Sequence, residues 1–115
     1  MKNIKVSRKE AVRYGRAEVD AYNYSLPDIE GGTSFIYAEL TGVHGERTTT
    51  NRSRIYYITE GTGEFVVNGE KIQVEPGDVI PLQPHTTYNY WPNKGVTLKA
   101  VLVMELLDIS KLPKK

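Results

Sequence analysis

Cysteine is absent from the 115 residues, which excludes a disulfide framework and thiolate chemistry. Histidine is scarce: His44 and His85 are the two in the chain, so imidazole donors for a metal are few. No apolar run approaches the about 20 residues that span a bilayer, and the start lacks the apolar stretch of a signal peptide. Neither charge sign dominates. A net charge of +1 gives no field to attract nucleic acid or an anionic membrane, and the basic ends (Lys2, Lys5, Arg8, Lys9, then Lys111, Lys114, Lys115) read as solvated termini. With 39% hydrophobic and 25% charged residues, the composition is that of one globular domain spanning residues 1–115. The absences together lead us to expect a cytoplasmic protein.

What is present is turn punctuation between short apolar runs. Ser7 and Glu10 form a potential capping box opening a short helix around Arg8–Tyr14, ended by Gly15, within an N-terminal arm over residues 1–18. Beyond it, Val19–Ser25 and Ser34–Leu40 read as strands separated by Pro27-Asp28 and Gly31-Gly32 turns. Ser53–Glu60 and Glu64–Val67 flank Gly61–Gly63. Asn68-Gly69 is a strong two-residue hairpin signal, with Lys71–Val74 as the returning strand. Asp78–Leu82, Thr87–Trp91 and Val96–Glu105 complete the set. Many short strands with turns every 8–12 residues predict an all-β sandwich or barrel.

The residues Gly42-x5-Thr48-x-Thr50-x3-Arg54-x6-Gly61, followed by Gly77-x5-Gln83-x-His85-x2-Tyr88, resemble the two-part signature of the cupin superfamily. The resemblance covers about residues 35–105. It implies a double-stranded β-helix, or jelly roll. In that family the positions of Thr48, Thr50 and Tyr88 are His and that of Arg54 is Glu, and these hold the metal. Hydroxyls are feeble ligands, and a guanidinium repels a divalent ion. No metal and no cofactor are therefore expected.

If the motif positions point inward, strand alternation places Arg54, Tyr56 and Ile58 on one face, with Ile55 and Tyr57 on the other. Tyr88 and Tyr90 share a face. The expected ligand-binding lining is Thr48, Thr50, Arg54, Tyr56, Tyr88 and Tyr90. A cation inside a barrel needs a partner: either an internal carboxylate such as Glu39 or Glu60, or an anionic ligand gripped by its fork. His85 is either a surface turn residue or an imidazole at the barrel mouth. His44, between Gly42 and Gly45, reads as a loop residue. The many strand tyrosines suit burial, a dimer interface, or stacking on a ring-shaped ligand.

The leading expectation is a metal-free barrel that binds a small polar or anionic molecule, carbohydrate-like or carboxylate-bearing. The alternative is a metal-independent sugar isomerase or epimerase, with Tyr88 as acid and His85 or a Glu as base. A homodimer through the hydrophobic Val96–Leu107 stretch is compatible with both.

Overall fold

Short apolar alternations closed by turn residues become ten strands in the computed structural model, which describes residues 5–115. Lys2 lies outside the described residues. In chain order the strands are β1 (Val12–Arg16), β2 (Val19–Leu26), β3 (Thr33–Leu40), β4 (Arg47–Thr48) and β5 (Arg54–Glu60). They continue as β6 (Gly63–Val67), β7 (Glu70–Val74), β8 (Val79–Leu82), β9 (Thr87–Pro92) and β10 (Leu98–Glu105).

They form two antiparallel sheets, ordered β1-β2-β3-β10-β5-β8 and β4-β9-β6-β7. β3 and β10 are distant in sequence yet pair along their full length, Leu40 opposite Leu98 and Thr33 opposite Glu105. That crossover makes the assembly a jelly-roll barrel. The Asn68-Gly69 hairpin forms as its sequence requires: both residues take left-handed φ, 47° and 84°, and Val67 pairs with Glu70.

Alternation decides what fills the barrel. Tyr56 and Ile58 are buried while Ile55 and Tyr57 face outward, as a period of two dictates. Leu40, Ile58, Phe65 and Leu98 are fully buried where the inner faces meet. Burying each of these side chains stabilises the fold by about 1.5–3 kcal/mol.

The expected helix over Arg8–Tyr14 does not form. Ser7 N and Oγ both donate to the Glu10 carboxylate, but the helical geometry stops after one 3₁₀ turn, Arg8–Glu10. Val12–Arg16 instead pairs with β2, from Val12 opposite Asn23 to Arg16 opposite Val19. A helix this short is marginal, and the strand gains a ladder of hydrogen bonds against β2. This strand matters for function because it brings Tyr14 and Arg16 to the barrel's open end.

Candidate functional site

A cavity of about 280 Å³ opens into the barrel. Its inner part carries a cluster of phenol rings from facing strands of the two sheets. Tyr56 comes from β5, Tyr88 and Tyr90 from β9, and all three are buried. Tyr56 Oη and Tyr88 Oη share a hydrogen bond of 2.9 Å. Tyr90 stacks on Phe65 at 4.4 Å between ring centroids and 3° between planes. Burial raises the Tyr56 and Tyr90 hydroxyls well above the usual phenol range, and pushes Tyr14 up to about 12. These groups therefore serve as neutral hydrogen-bond donors and acceptors at neutral pH.

Arg54 reaches into this cluster from the start of β5. Its Nη1 donates to Tyr88 Oη at 2.9 Å. Its carboxylate partner is Glu105, at the end of β10, with Nε 3.6 Å from Oε1. Sequence reasoning named Glu39 or Glu60 for this role, and the structure corrects it. Glu39 accepts from the Tyr37 hydroxyl, and Glu60 pairs with Lys99; both lie on the sheet's outer face. Burial acts to raise the Glu105 carboxyl, but a hydrogen bond from Thr50 and the Arg54 charge hold it below the usual range.

His44 lies in the loop before β4, as the sequence indicated, but its ring turns inward. It lines the cavity, stacks on Tyr90 at 4.6 Å and 19°, and lies 5.9 Å from the Tyr88 ring. Burial, reinforced by the charges of Arg47, Arg16 and Arg54, depresses it to about 4 against the hydrogen bond at Gly45. The ring is thus neutral at pH 7. Its Nδ1 lies 2.8 Å from the Gly45 carbonyl, which can only accept, so Nδ1 carries the proton and Nε2 keeps its lone pair.

Arg16 and Arg47 flank His44 at the exposed rim. Arg47 pairs with Tyr88 across β4 and β9 and so shares its inward face. His44 and Arg47 are an odd number of residues apart, so a regular strand would send them to opposite sides. Gly45 lies between them with φ +102°, its N–H donating to Asn89 Oδ1. This irregularity rotates His44 inward, as a bulge does.

Of the expected lining, Arg54, Tyr56, Tyr88 and Tyr90 meet around the cavity, but Thr48 and Thr50 do not. Thr48 pairs with Thr87 on the outer side, their hydroxyls 3.0 Å apart. Thr50 is exposed and donates to Glu105. Between them Thr49 is buried, donating to Gln83 O at 2.7 Å and accepting from Thr86 N at 2.8 Å. The register is fixed by Arg47 opposite Tyr88, not by the inward-pointing Thr-x-Thr that the motif implied. His85 is an exposed turn residue in left-handed conformation, φ 59°, its N–H donating to Thr50 O. It does not line the cavity, so it is no candidate base.

The donor set does not fit the divalent cation that the cupin signature implies. Thr48 faces away, Arg54 brings a permanent charge of the wrong sign, and no three His, Cys, Asp or Glu cluster among the described residues. No chemical step is assigned to a metal. Arg16, His44 and Arg47 were legible only as a basic residue near a glycine, a loop histidine and a residue beside the motif. No local pattern marks them as neighbours.

Comparison with known proteins agrees with this architecture. Residues 30–108 match the family model described as the AraC-like ligand binding domain. An uncharacterized protein of Methanocaldococcus jannaschii is 32% identical over 77 residues, 64% of this chain, and the match spans 62% of that protein's length. Among solved structures, a protein of Thermotoga maritima described as a predicted oxalate decarboxylase superposes with a TM-score of 0.76. It shares 22% identity, over 90% of this chain and all of its own. Pac13 of Streptomyces, described as a unique nucleoside dehydratase and also solved with uridine, gives 0.74 at 18% identity. That match covers 97% of this chain and 99% of Pac13. KdgF from Halomonas gives 0.67 at 20% identity, over 83% of this chain and 87% of its own. At these identities the structural likeness is one of fold.

Proposed function

This chain belongs to the AraC-like ligand-binding domain family, and we propose on that premise that its barrel binds one small polar or anionic molecule without a metal ion. The observation that carries this reading is the lining itself. Apolar side chains of the sheets surround three buried tyrosines, a neutral imidazole and three guanidiniums, and no Asp or Glu lines the cavity. A volume of about 280 Å³ lies at the lower end of small-molecule sites. It suits a single-ring compound, carbohydrate-like or carboxylate-bearing, better than an oligomer. A cytoplasmic location accompanies this reading, since a chain without cysteine gains nothing from an oxidising compartment. The test is a thermal-shift screen against monosaccharides, sugar acids and nucleosides. Stabilisation by one class, abolished by filling the cavity with Ala38→Phe, supports it. No stabilisation by any class refutes it.

A second reading, acid–base catalysis on a carbonyl compound, is favoured by His44. Its Nε2 lone pair lies on a neutral ring beside the Tyr88 phenol. In this scheme Nε2 removes a proton from the carbon next to a carbonyl while Tyr88 Oη donates to the carbonyl oxygen. Loss of that proton to solvent and reprotonation of the resulting enol or enolate by water on the opposite face give the epimer. Pac13 supports the idea only as a like-folded protein described as a dehydratase. Solvent deuterium entering a keto sugar with the wild type but not with His44→Gln would establish it. Absence of exchange with every candidate would exclude it.

The outer face of the six-stranded sheet is proposed as a homodimer interface. Phe35, Ile55, Tyr57, Val79 and Val103 form an apolar band across it, each 36–56% exposed. The outer face of the other sheet is more polar, presenting Thr48, Glu64, Gln73 and Thr87 alongside Val66 and Trp91. Several charges around the band are paired within the chain, Arg13 with Asp20 at 2.8 Å and Lys99 with Glu60 at 3.4 Å, while Arg8 lies over the Tyr22 ring. The pairs limit like-charge repulsion when two identical copies meet over the band.

A further inference from the structure

The cationic groups of the cavity are not equivalent. Arg54 is neutralised by Glu105 and its Nη1 is spent on Tyr88. Arg16 and Arg47 have no such compensation. Arg16 Nη2 donates to the carbonyls of Val43 and His44, and its Nε has only a loose contact with Glu18 at 3.7 Å between two half-exposed side chains. Arg47 Nη1 donates to the carbonyl of its own neighbour, Glu46. Among the described residues no carboxylate lies within ion-pair distance of Arg47.

These two guanidiniums converge on one point. A β-carbon placed on Gly45 would lie 3.5 Å from Arg47 Nη1 and 3.8 Å from Arg16 Nη2. The left-handed φ of Gly45 excludes most side chains there, so the gap between the two forks stays open. The carbonyls take both N–H groups of Arg16 Nη2 and one of Arg47 Nη1, so the second N–H of Arg47 Nη1 and the Nη1 group of Arg16 stay free to donate, since each guanidinium carries five N–H groups. The gap sits on the rim of the cavity, next to the edge of the His44–Tyr90 ring stack. Two converging cations, Arg47 with no carboxylate within ion-pair distance among the described residues and Arg16 with only the solvent-screened Glu18, match one class of group: an oxyanion with several acceptor oxygens.

We propose that Arg16 and Arg47 form an oxyanion subsite over Gly45, which holds the carboxylate or phosphate of a ligand whose ring enters the barrel beside His44. The proposal rests on the small-molecule reading above and names the chemical class within it. It also reassigns the anchoring role: Arg54 organises the barrel floor, and the rim pair selects the anion. Orientation follows, with the anionic end at the mouth and the hydroxyl-bearing ring toward Tyr88 and Tyr56.

The test compares matched pairs by calorimetry at low and high salt: glucose against glucuronate and glucose 6-phosphate, uridine against uridine 5′-monophosphate, and inorganic phosphate alone. At low salt the anionic member of a pair should bind at least tenfold more tightly than the neutral one, with the advantage reduced by salt. A carboxylate-only or phosphate-only preference distinguishes the two sources of the oxyanion. Arg47→Glu should abolish the advantage. The Arg47 side chain is exposed and its hydrogen bond is to the neighbouring Glu46 carbonyl, so folding should survive, which an unchanged melting temperature without ligand checks, and Arg16→Gln should reduce the advantage as well. Lys71→Gln, on β7 at the opposite edge of the sheet from β4 and outside the cavity lining, should change nothing. Equal binding of neutral and anionic members, or an advantage that survives Arg47→Glu, overturns the subsite while leaving the barrel's binding role standing. Binding by no member of any pair overturns both.

Discussion

Arg54 Nε and Glu105 Oε1 face each other across 3.6 Å at the junction of β5 and β10, and neither atom has a hydrogen-bond partner among the described residues. Their side chains are 13% and 21% exposed, so water screens the pair only in part. The cation that sits at a metal-ligand position of the cupin signature is thus held within the chain, at the floor of the cavity.

Breaking this pair should cost more than deleting it. Arg54→Met removes the ion-pair partner of Glu105 and is expected to destabilise by about 2–3 kcal/mol, less than for a fully buried pair because Glu105 keeps some water and the more distant Arg52 charge. Adding Glu105→Leu should recover most of that loss. Urea unfolding of the two variants checks the order, and a double variant no better than the single one contradicts it.

The phenol cluster makes a graded prediction. Tyr56→Phe removes one partner of a shared hydrogen bond and should cost about 1 kcal/mol. Tyr88→Phe also strips the acceptor from Arg54 Nη1, so its cost should be larger, about 2 kcal/mol, since a charged donor is left unpaired. Equal midpoints in denaturant for the two variants would count against the assigned hydrogen bonds.

His44 gives a pH dependence with a defined sign. Its folded value of about 4 lies below the ordinary 6.5, so the unfolded chain binds the proton more readily. Stability is therefore full above about pH 6.5 and falls as the pH drops toward 4, by roughly 3 kcal/mol in all. Melting temperatures between pH 7 and 4 should show this decline. His44→Phe, which keeps the ring on Tyr90, should flatten it; the same slope in both proteins would exclude His44 as its source.

Gly15 tests the strand that replaced the expected helix. It has φ +141°, and a β-carbon there would lie 2.0 Å from the Val19 carbonyl oxygen. Gly15→Ala should therefore break the β1–β2 hairpin, at a cost of more than about 3 kcal/mol, and release Tyr14 and Arg16 from the rim. A variant as stable as the wild type would mean that β1 does not pair as described.

The apolar sheet face predicts a mass in solution of twice the chain. Tyr57→Glu places a charge in the middle of the band and should yield monomers by light scattering. A monomeric wild type would remove the dimer.

The sequence by itself determined eight of the ten strands, all but β1 and β4, the Asn68-Gly69 hairpin and the inward faces of Tyr56, Ile58, Tyr88 and Tyr90. These depend on φ preferences and on a side-chain period of two, which act over a few residues. Strand β1 escaped because the short capping signal around Ser7 and Glu10 competes with its alternation, and only pairing with β2 decides between them. Tertiary structure alone decided the rest of the site. Whether Thr48 or Arg47 turns inward depends on the register of β4 against β9, set by strands far apart in the chain. His44 faces the cavity because a left-handed glycine reverses the alternation beside it, and Glu105 meets Arg54 because β10 lies next to β5. A short run of residues carries no record of which distant strand will pair with it. The scaffold was therefore readable from local pattern, while the identity of the groups at its mouth was settled by packing.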